Sequence, residues 1–442
     1  MDLSKGHAKA AFEIARKLKD HGHTAYFAGG SVRDFVMEKD AHDIDIATSA
    51  VPDAIEALFK KTVPVGRQFG VILVESDDTF FEVATFRREG GYQDGRHPTE
   101  VSFTGPEEDA RRRDFTVNGL FFDPFENKVI DYVGGLPDIK RRLIRAIGDP
   151  HERFEEDKLR LLRAVRFAST LNFDIEENTW KALRSRAAGI SCVSPERIRE
   201  ELVKMLVRPN AWKGFQLLSD SGLMKEILPE IEAMKGVEQP PEHHPEGDVF
   251  VHTRMLLEKL KDPTPTLALS ALFHDIAKPV TYAVKNGKIC FYEHAPIGAR
   301  MTRLIMKRLR FSNEDIDKVA EAVENHMKFA DVQKMREGKL KLFVSRPNFS
   351  EEMELHRIDC LSSSGRLDNY QFLQSKLEQY ANEPLKPPRL LTGNDLIALG
   401  MKPGPGMKPL LDEAYELQLE HVLKTKEEAV AWANSRMTGN KN

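Results

Sequence analysis

The strongest constraint on the fold is a change of sequence periodicity near residue 150. Before it, short apolar runs such as "TAYFAGG", "DIDIAT", "GVILVES" and "FFEVATF" alternate with turns and one early helical stretch. That pattern is typical of an α/β domain. From about residue 152, stretches such as "DKLRLLRAVRFASTL" and "PERIREELVKMLV" have helical spacing, and we expect helices from there to the end. The sequence therefore predicts a head with a small mixed sheet and helices, followed by all-α parts.

Two proline-rich breaks divide the helical part further. They are "EQPPEHHPEG" near residue 238 and "NEPLKPPRLLTG" near residue 385, and such clusters mark boundaries between elements. A chain of 442 residues is also too long for one hydrophobic core. We therefore expect a head at 1–149, a helical neck at 150–237, a helical domain at 238–383 and a helical tail at 384–442.

Composition excludes several classes of protein. No apolar run approaches the ~20 residues that a membrane span needs, and the charged start "MDLSKGHAKA" does not resemble a signal peptide. The three cysteines lie far apart without a C-x-x-C pair, which favours a reducing cytoplasm. The net charge of −4 gives no overall attraction to nucleic acid. Residues 140–170, however, contain nine Lys or Arg against five Asp or Glu, so any polynucleotide would bind a local basic patch.

A glycine turn and two aspartates lie close together in "FAGGSVRDFVMEKDAHDIDIATSA", residues 27–50. Glycines allow a backbone to approach a bulky anion. In "HDIDIA" the isoleucines alternate with Asp43 and Asp45, so a strand would bury Ile44 and Ile46 and present both carboxylates on one face. Paired carboxylates suit Mg²⁺, which completes its coordination with water and substrate phosphates. The stretch predicts metal-assisted nucleotide chemistry.

Two further groups extend this site. "EEDARRRDFTVNGLFFDP" places Arg112 and its neighbours directly before an apolar run, at the lip of a core. In "FEEDKLRLLRAVRFA", Asp157 and Arg160 are three residues apart on the expected helix and would be neighbours. A carboxylate beside a guanidinium presents acceptors and donors that can pair with a nucleobase.

Together these motifs resemble a known family. GGSVRD, DID, RRDFTVNG, GGLPD, EDKLR and SPERIREE, in this order and spacing, are similar to the class II CCA-adding tRNA nucleotidyltransferases and bacterial poly(A) polymerases. The resemblance covers about residues 20–235 closely and the remainder more loosely. It implies a template-independent RNA nucleotidyltransferase that uses Mg²⁺, CTP and ATP and binds the 3′ acceptor end of tRNA, with a tail that contacts the tRNA.

The resemblance also implies roles for single residues. Gly30 and Arg33 would contact the triphosphate, and Asp43 with Asp45 would hold the metal ions that activate the RNA 3′-hydroxyl and neutralise pyrophosphate. Arg112 would be a further nucleotide contact. Glu82 in "FEVATF" is the candidate for a third carboxylate.

Nucleobase selection would fall to the neck. Asp157 and Arg160 resemble the protein template that selects CTP or ATP, with Arg163 and Arg166 nearby. At ~100° per residue, Arg166 lies half a turn from Asp157, which favours a phosphate contact or a salt bridge over base reading. Glu196 and Arg197 in "SPERIREEL" are expected to be structural, because Ser194 and Pro195 form a helix start.

The product is harder to predict than the chemistry, because the family contains enzymes that add CCA, CC, A or a poly(A) tail. The stretch "TFRREGGYQDGRHP", with Arg87, Arg88, Asp94 and Arg96, resembles the flexible loop of CCA-adding and A-adding members. CCA addition is therefore predicted, with A addition or poly(A) synthesis as alternatives. The alternative from a different class of function is a catalytically inactive module that only binds tRNA.

A second constellation lies downstream of the neck. It consists of His252, His274, Asp275, His294, His326 and Asp359. Its order resembles the HD phosphohydrolase superfamily, although Ala277 stands where that family usually has Gly. Imidazole with carboxylate suits Mn, Co or Ni better than Mg. The first two histidines and both aspartates would form one metal site, and His294 with His326 a second; a degenerate, non-catalytic HD fold is the alternative.

Overall fold

The computed structural model describes residues 1–40, 43–92, 98–242, 244–381 and 384–439. The chain divides into two units, Met1–Glu232 and Ala233–Asn442. The first unit contains the predicted mixed α/β head and the helices of the neck, and the second is mainly helical, so the predicted fold class is confirmed. The finer boundaries at 149/150, 237/238 and 383/384 stay predictions. Among the described helices, none combines the length and the apolar character needed to cross a membrane.

A mixed sheet forms the centre of the first unit. The strands of this unit are β1 (Ala25–Ala28), β2 (Asp45–Thr48), β3 (Thr62–Gly66), β4 (Val71–Ser76), β5 (Thr79–Thr85), β6 (Arg87–Tyr92), β7 (Pro98–Phe103), β8 (Leu120–Asp123), β9 (Lys128–Asp131), β10 (Leu143–Ile144) and β11 (Asp174–Ile175). Seven of them form one sheet in the order β3-β4-β5-β2-β1-β8-β9. β6 and β7 form a separate antiparallel hairpin, and β10 pairs with β11.

The register of β2 determines where the predicted catalytic residues lie. β2 runs antiparallel to β1 and parallel to β5, with Ile46 opposite Val83. Ile44 and Ile46 are buried, whereas Asp43 and Asp45 are exposed. The predicted alternation of buried isoleucine and exposed aspartate is therefore confirmed.

Helices cover the sheet and form the neck. They are α1 (Gly6–Asp20), α2 (Gly30–Val36), α3 (Pro52–Leu58), α4 (Pro106–Arg111), α5 (Gly135–Arg141), α6 (Pro150–Glu156), α7 (Leu159–Leu171), α8 (Glu177–Arg186), α9 (Pro195–Leu206), α10 (Ala211–Asp220), α11 (Leu223–Ile227) and α12 (Pro229–Glu232). The apolar face of α1, with Ile14 and Leu18, packs in one core with Phe27 of β1 and Phe122 of β8. This core holds the sheet that carries Asp45.

The predicted continuous helix through Asp157 and Arg160 is wrong. α6 ends at Glu156, and Asp157 is extended, with φ −140° and ψ 104°, before α7 begins at Leu159. The physical reason is local, because the Asp157 carboxylate accepts the backbone N–H of Leu159 at 3.0 Å, and such a bond competes with helical geometry. Asp157 therefore lies at the corner between two helices.

The second unit consists of helices and one hairpin. The helices are α13 (Val249–Lys259), α14 (Pro265–Phe273), α15 (Lys278–Thr281), α16 (His294–Arg308), α17 (Asn313–Asn325), α18 (Glu337–Val344), α19 (Phe349–Ser362), α20 (Asp368–Tyr380), α21 (Gly393–Ala398), α22 (Met407–Leu419) and α23 (Lys426–Gly439). A buried cluster around Phe329 and Phe343 packs under α18 to α20. A separate cluster with Leu396 and Ala433 packs the three tail helices together.

The expectation of helices from about residue 152 to the end is wrong at the short strand β11 and at a hairpin in the second unit. β12 (Tyr282–Lys285) and β13 (Lys288–Phe291) form an antiparallel hairpin. Its connection is Asn286-Gly287, with φ of 53° and 74°. Asn-Gly favours the two-residue turn whose twist matches that of paired strands, so the stretch "TYAVKNGKICFYE" carried a hairpin signal.

Candidate active site and metal centre

A cavity of about 600 Å³ in the first unit brings most of the predicted nucleotide site together. Its lining includes the predicted residues Gly30, Arg33, Asp45, Arg112, Asp157, Arg160 and Arg163. It also includes Gly29, Arg87, Glu89, Arg113, Asp114, Asn118 and Arg197, which the sequence did not assign to nucleotide binding. Seven arginines and four carboxylates line this cavity, a balance that suits a polyanion bound together with a cation.

Asp45 lines the cavity and has two further carboxylates, Glu82 and Asp43, near it. Because Ile46 of β2 pairs with Val83 of β5 in parallel, Asp45 lies beside Glu82, and both side chains are exposed. Although Asp45 is exposed as a residue, desolvation of its carboxyl, followed by the negative charges of Glu82 and Asp43, raises its pKa to about 7, and Arg113 opposes the shift. Neighbouring carboxylates that resist ionisation together form a site that a divalent cation would relieve.

The Gly-Gly turn brings the backbone close to these charges. Gly29 has φ 72°, and a Cβ added there would lie 3.2 Å from Nη1 of Arg113 and 3.8 Å from Oδ2 of Asp45. Its conformation strains any residue with a side chain. Glycine is therefore required here, because the chain turns in the left-handed region directly against the charged groups.

A buried hydrogen-bond network orients two arginines of the cavity. Arg33 donates from Nη1 to Oδ1 of Asn118 at 2.6 Å, and Asn118 donates from Nδ2 to Oδ1 of Asp114 at 3.1 Å. Arg163 donates to Oδ2 of Asp114 at 2.6 Å and 2.8 Å. Burial opposes the charge on Asp114, but Arg163 outweighs it and lowers the pKa of this carboxyl to about 2. Asp114 and Asn118 thus link Arg33 to Arg163.

Arg112 is held by Asp109 of α4 and by Glu89 of the β6–β7 hairpin. It donates from Nε to Asp109 at 2.7 Å and from Nη1 to Glu89 at 3.1 Å. Glu89 also pairs with Arg87, at 2.7 Å from Nε. The connection between β6 and β7, including Asp94 and Arg96, lies outside the described residues. Glu89, in the strand that leads into the predicted flexible loop, therefore contacts Arg112, a predicted nucleotide-binding residue.

The predicted base-reading pair is arranged by residues that sequence reasoning missed. Arg160 is buried, and its Nη1 donates to Oε2 of Glu156 at 2.6 Å and to the carbonyl of Arg153 at 2.9 Å. Arg197 donates to Oδ2 of Asp157 at 3.0 Å. Arg197, expected to be only structural, thus lines the cavity and pairs with the template carboxylate. It is 40 residues distant in the chain, so no local pattern signals the contact.

Arg166 is not part of the cavity lining described above. Its Nε donates to Oε2 of Glu201 at 2.5 Å, and its guanidinium stacks 4.0 Å from the centre of the Phe167 ring. Of the two roles expected for Arg166, a phosphate contact or a salt bridge, the structure shows a salt bridge.

In the second unit, five of the six predicted HD residues are buried. His252 is on α13, His274 and Asp275 follow α14, His294 begins α16 and His326 follows α17, while Asp359 on α19 is partly exposed. Asp275 is central, with Oδ2 at 3.2 Å from Nε2 of His274 and 3.9 Å from Nε2 of His252. Its Oδ1 lies 3.6 Å from Nε2 of His294 and 3.8 Å from Nε2 of His326. The structure thus brings these predicted ligands together.

The orientation of three imidazoles favours metal binding. Nδ1 of His274, His294 and His326 lies 2.6–2.9 Å from the backbone carbonyls of Ala271, Phe291 and Val323. A carbonyl only accepts, so each Nδ1 is the donor and each neutral ring has its Nε2 lone pair free. Nε2 of His294 and Nε2 of His326 face each other at 3.2 Å. Lone pairs that converge on a carboxylate repel unless a cation lies among them, so these residues fit one or two divalent transition metals.

His252 has a different environment. Its Nε2 lies 3.0 Å from Oδ1 of Asp359, and its Nδ1 lies 2.6 Å from Oε1 of Glu246. Burial disfavours the charged ring, but the two carboxylates outweigh it and raise the pKa of His252 to about 9. Glu246 also lies 2.9 Å from Nδ1 of His244. Sequence reasoning missed Glu246 and His244 because "EHHPEG" was interpreted only as a boundary.

A buried lysine beside Asp275 was also missed. Nζ of Lys278 lies 2.7 Å from Oδ2 of Asp275 and donates to Oε1 of Gln239. Burial disfavours the charged form of Asp275, but its close contacts with His274 and the ammonium group of Lys278 outweigh burial and hold the pKa of its carboxyl well below the usual range. The cluster therefore contains a fixed cation beside its central carboxylate.

Three family models match successive parts of the chain. The poly A polymerase head domain matches residues 25–145, the probable RNA and SrmB-binding site of polymerase A matches residues 172–235, and the HD domain matches residues 248–363. These three ranges follow the predicted order of head, neck and HD-type domain.

Several curated relatives of the chain are CCA-adding enzymes by name. The CCA-adding enzyme of Bacillus licheniformis is 46% identical over 226 residues, 51% of this chain and 56% of that protein. The chain thus matches about half the length of this relative and of the Lactobacillus johnsonii enzyme, of which 55% is covered.

Two further matches cover most of the chain. The CCA-adding enzyme of Streptococcus pyogenes serotype M5 is 34% identical over 406 residues, 85% of this chain and 97% of that protein. The Bacillus stearothermophilus CCA-adding enzyme, solved in complex with CTP, has a TM-score of 0.78 and 26% identity, covering 99% of both chains. The chain therefore belongs to the CCA-adding enzymes, with a poly A polymerase head and an HD domain.

Proposed function

We propose that the chain adds C, C and A to the 3′ end of tRNA from CTP and ATP without a nucleic-acid template. The observation that carries this proposal is the cavity in which Asp45 faces an arginine-rich wall that also contains Asp157 and Arg160. The relatives that support it are CCA-adding enzymes by name, and solved family members were crystallised with CTP, ATP or tRNA.

In phosphoryl transfer the carboxylates bind the metal and the arginines bind the triphosphate. Asp43, Asp45 and Glu82 would hold Mg²⁺, which when bound would lower the pKa of the attacking hydroxyl and neutralise the charge of the leaving pyrophosphate. Arg33, fixed through Asn118, and Arg112 bind triphosphate oxygens. The 3′-hydroxyl of the RNA releases its proton to water, and its oxygen attacks the α-phosphorus. The bond between the α-phosphorus and the oxygen that bridges to the β-phosphate breaks, and pyrophosphate leaves.

Base selection rests on Asp157 and Arg160. The Glu156 carboxylate and the Arg153 carbonyl hold one edge of the Arg160 guanidinium, so its donors have a fixed direction. Arg197 holds one oxygen of Asp157. A prearranged donor and acceptor edge rejects a base that leaves either group unpaired.

The test uses tRNA ending in the discriminator base, with CTP alone, ATP alone and both, followed by sequencing of the products. CCA with both nucleotides and C-C with CTP alone are expected. Addition of A alone would assign the A-adding alternative, and many added A residues would assign a poly(A) polymerase. Retention of tRNA without incorporation would assign the binding module. Asp53→Asn, at a highly exposed side chain of the same unit, is the matched control for Asp45→Asn.

A second proposed function is phosphoester hydrolysis by the HD cluster. It is supported by the convergence of histidine Nε2 atoms on Asp275. On a 2′,3′-cyclic phosphate, water would add to phosphorus, one P–O bond to the ribose would break, and the released oxygen would take a proton. The metal, when bound, would supply an activated water and charge neutralisation.

This second function has its own test. Ni²⁺, Mn²⁺ or Co²⁺ should support hydrolysis, and Mg²⁺ should support it poorly. The double variant His274→Ala with Asp275→Ala should remove it and leave nucleotide addition unchanged, because the two sites share no ligand. Absence of bound metal in elemental analysis, together with no hydrolysis, would leave the HD region as a scaffold.

Two smaller proposals concern the tail and the location. We expect the tail at 384–442 to contact tRNA, as the family resemblance implies, next to a groove of about 870 Å³ that Lys328, Lys339 and Arg346, which precede the tail, line together with Glu416 of α22. Loss of tRNA affinity with rising salt, reduced in Lys339→Ala, would test it. A cytoplasmic location stays a prediction, supported by three free cysteines.

A further inference from the structure

The buried side chain of Arg153 on α6 holds a distant segment that contributes to the nucleotide cavity. Arg153 is 8% exposed, and its Nη2 donates to the backbone carbonyl of Arg112 and, at 2.6 Å, to that of Arg113. The side chains of Arg112 and Arg113 line the cavity, whereas Arg153 is not among the described residues that line it. Arg153 thus holds the backbone of two cavity arginines without lining the cavity itself.

The same side chain is connected to the predicted base-reading residue Arg160. Oε2 of Glu156 accepts from Nη1 of Arg153 and, at 2.6 Å, from Nη1 of Arg160. Nη1 of Arg160 also donates to the carbonyl of Arg153 at 2.9 Å, and its Nη2 donates to the carbonyl of Arg112 at 3.3 Å. These four residues therefore form a closed ring of hydrogen bonds that joins the Arg112 backbone to the first turn of α7.

The ring lies at the place where the helix is interrupted. Asp157 is extended between α6 and α7, so the backbone hydrogen bonds of one continuous helix do not fix α7 relative to α6. The direction of the Arg160 side chain therefore depends on the groups that contact it. Two of these contacts, the Glu156 carboxylate and the Arg153 carbonyl, involve α6, and Arg153 ties them to the segment before Asp114.

We propose that Arg153 is a positioning residue for nucleobase selection. It fixes the Arg160 guanidinium relative to the backbone of Arg112 and Arg113, and it acts through Arg160 without touching the nucleotide. The proposal rests on the base selection given under the proposed function and adds a residue to it.

An arginine suits this position because its donors have a fixed geometry. The guanidinium is planar, so Nη1 can point at the Glu156 carboxylate while Nη2 points at the carbonyls of Arg112 and Arg113. A lysine keeps the positive charge but carries all its donors on one flexible centre. Arg153→Lys should therefore hold Arg160 less firmly, and Arg153→Met, which keeps an apolar stem, should lose the side-chain hydrogen bonds altogether.

The test measures discrimination between CTP and UTP at the first addition to tRNA, as the ratio of their kcat/KM values. Arg153→Met is expected to lower this ratio roughly tenfold, and Arg153→Lys to lower it by a smaller factor. Arg186→Met is the matched control, because Arg186 pairs with Glu155 at 2.9 Å but is 45% exposed, and it should leave the ratio unchanged. An unchanged ratio in both Arg153 variants, or loss of helical circular dichroism in both, would overturn the proposal.

A double variant separates positioning from a general loss of stability. If Arg153 acts through Arg160, it has nothing to position once that guanidinium is removed. Arg153→Met combined with Arg160→Ala should therefore be no less selective than Arg160→Ala alone. Losses of selectivity that multiply in the double variant would show that Arg153 acts independently of Arg160, and the proposal would be wrong.

Nucleotide binding without catalysis separates this proposal from the proposed function. Calorimetry with Ca²⁺ in place of Mg²⁺ gives the preference for CTP over UTP as a ratio of Kd values. If the wild-type chain incorporates no nucleotide but prefers CTP, and Arg153→Met loses that preference while Arg186→Met keeps it, the positioning role stands although nucleotide addition fails. In a chain that incorporates nothing, equal binding of CTP and UTP, or a preference that Arg153→Met leaves unchanged, would overturn the positioning role.

Discussion

Replacing Asp114 by Asn tests whether the buried network of the cavity stabilises the first unit. Arg163 donates twice to Oδ2 of Asp114, and Asn118 and the Phe115 N–H donate to Oδ1. An asparagine retains an acceptor for the Phe115 N–H but removes the negative charge opposite Arg163. Glu201, at 3.8 Å from Nη1 of Arg163, compensates only partly.

The pKa of Asp114 gives the expected magnitude. The folded state lowers it from 3.8 to about 2, and each unit corresponds to ~1.4 kcal/mol. Asp114→Asn should therefore reduce the free energy of unfolding of the first unit by about 2 kcal/mol at pH 7. Because the folded pKa is the lower one, this stabilisation is fully present above pH 3.8 and is lost as the pH falls towards 2. The difference from wild type should thus stay constant between pH 7 and 5.

The assay is urea unfolding followed by tryptophan fluorescence. Trp180 and Trp212 report on α8 and α10 of the first unit, so a Trp432→Phe background removes the signal of the second unit. Asp174→Asn is the matched control, because this carboxylate pairs with a lysine at 3.1 Å but is 83% exposed; it should change stability by under ~0.5 kcal/mol. A loss in Asp114→Asn no larger than in the control, or a loss that already declines between pH 7 and 5, would refute the reasoning.

The remaining predictions concern the two sites separately. Asp45→Asn should slow nucleotide incorporation roughly a hundredfold in a single-turnover assay, since charge neutralisation at the reacting phosphate is lost; a rate above about a tenth of wild type would contradict its assigned role. Arg160→Lys keeps the charge but loses the planar fork, so competition among CTP, ATP, UTP and GTP should become about tenfold less selective, and unchanged selectivity would count against base reading. Glu89→Gln weakens the contact of the β6–β7 hairpin with Arg112 and should raise KM for ATP at the last step more than KM for CTP, whereas equal effects would separate the hairpin from that step. Glu246→Gln should lower Mn²⁺ affinity roughly tenfold by calorimetry, because this carboxylate contacts Nδ1 of His252; equal affinity would show that the contact does not support the metal.

The sequence predicted what depends on local pattern. The alternation around Asp43 and Asp45 indicated a strand with two exposed carboxylates; in the structure both aspartates are exposed, but the strand begins at Asp45 and Asp43 lies just before it. The order of six motifs indicated the family. The hairpin at 282–291 was also locally encoded through Asn286-Gly287, but the surrounding helical pattern concealed it.

What the sequence did not predict depends on packing between distant segments. Arg197 meets Asp157 only because α9 packs beside α7, and Glu246 meets His252 only through the fold of the loop before α13. The corner at Asp157 was missed for a different reason. An aspartate that ends one helix by accepting a backbone N–H and an aspartate inside a continuous helix can have the same neighbours in the sequence. Contacts between distant segments leave no periodic pattern in the sequence, so a single sequence does not reveal them.

The parallel pairing of β2 with β5 has a consequence for how such a head tolerates change. Glu82 lies beside Asp45 although its strand comes more than 30 residues later. Its position is set by the parallel hydrogen bonding of β2 with β5, in which Ile46 lies opposite Val83. The connection through α3, β3 and β4 can gain or lose residues at its turns without moving either carboxylate. A deletion of one residue within β5 before Glu82, in contrast, would turn that side chain to the other face of the sheet. Length variation among related heads should therefore accumulate at the turns between residues 49 and 79 and be absent from the strand that carries the glutamate.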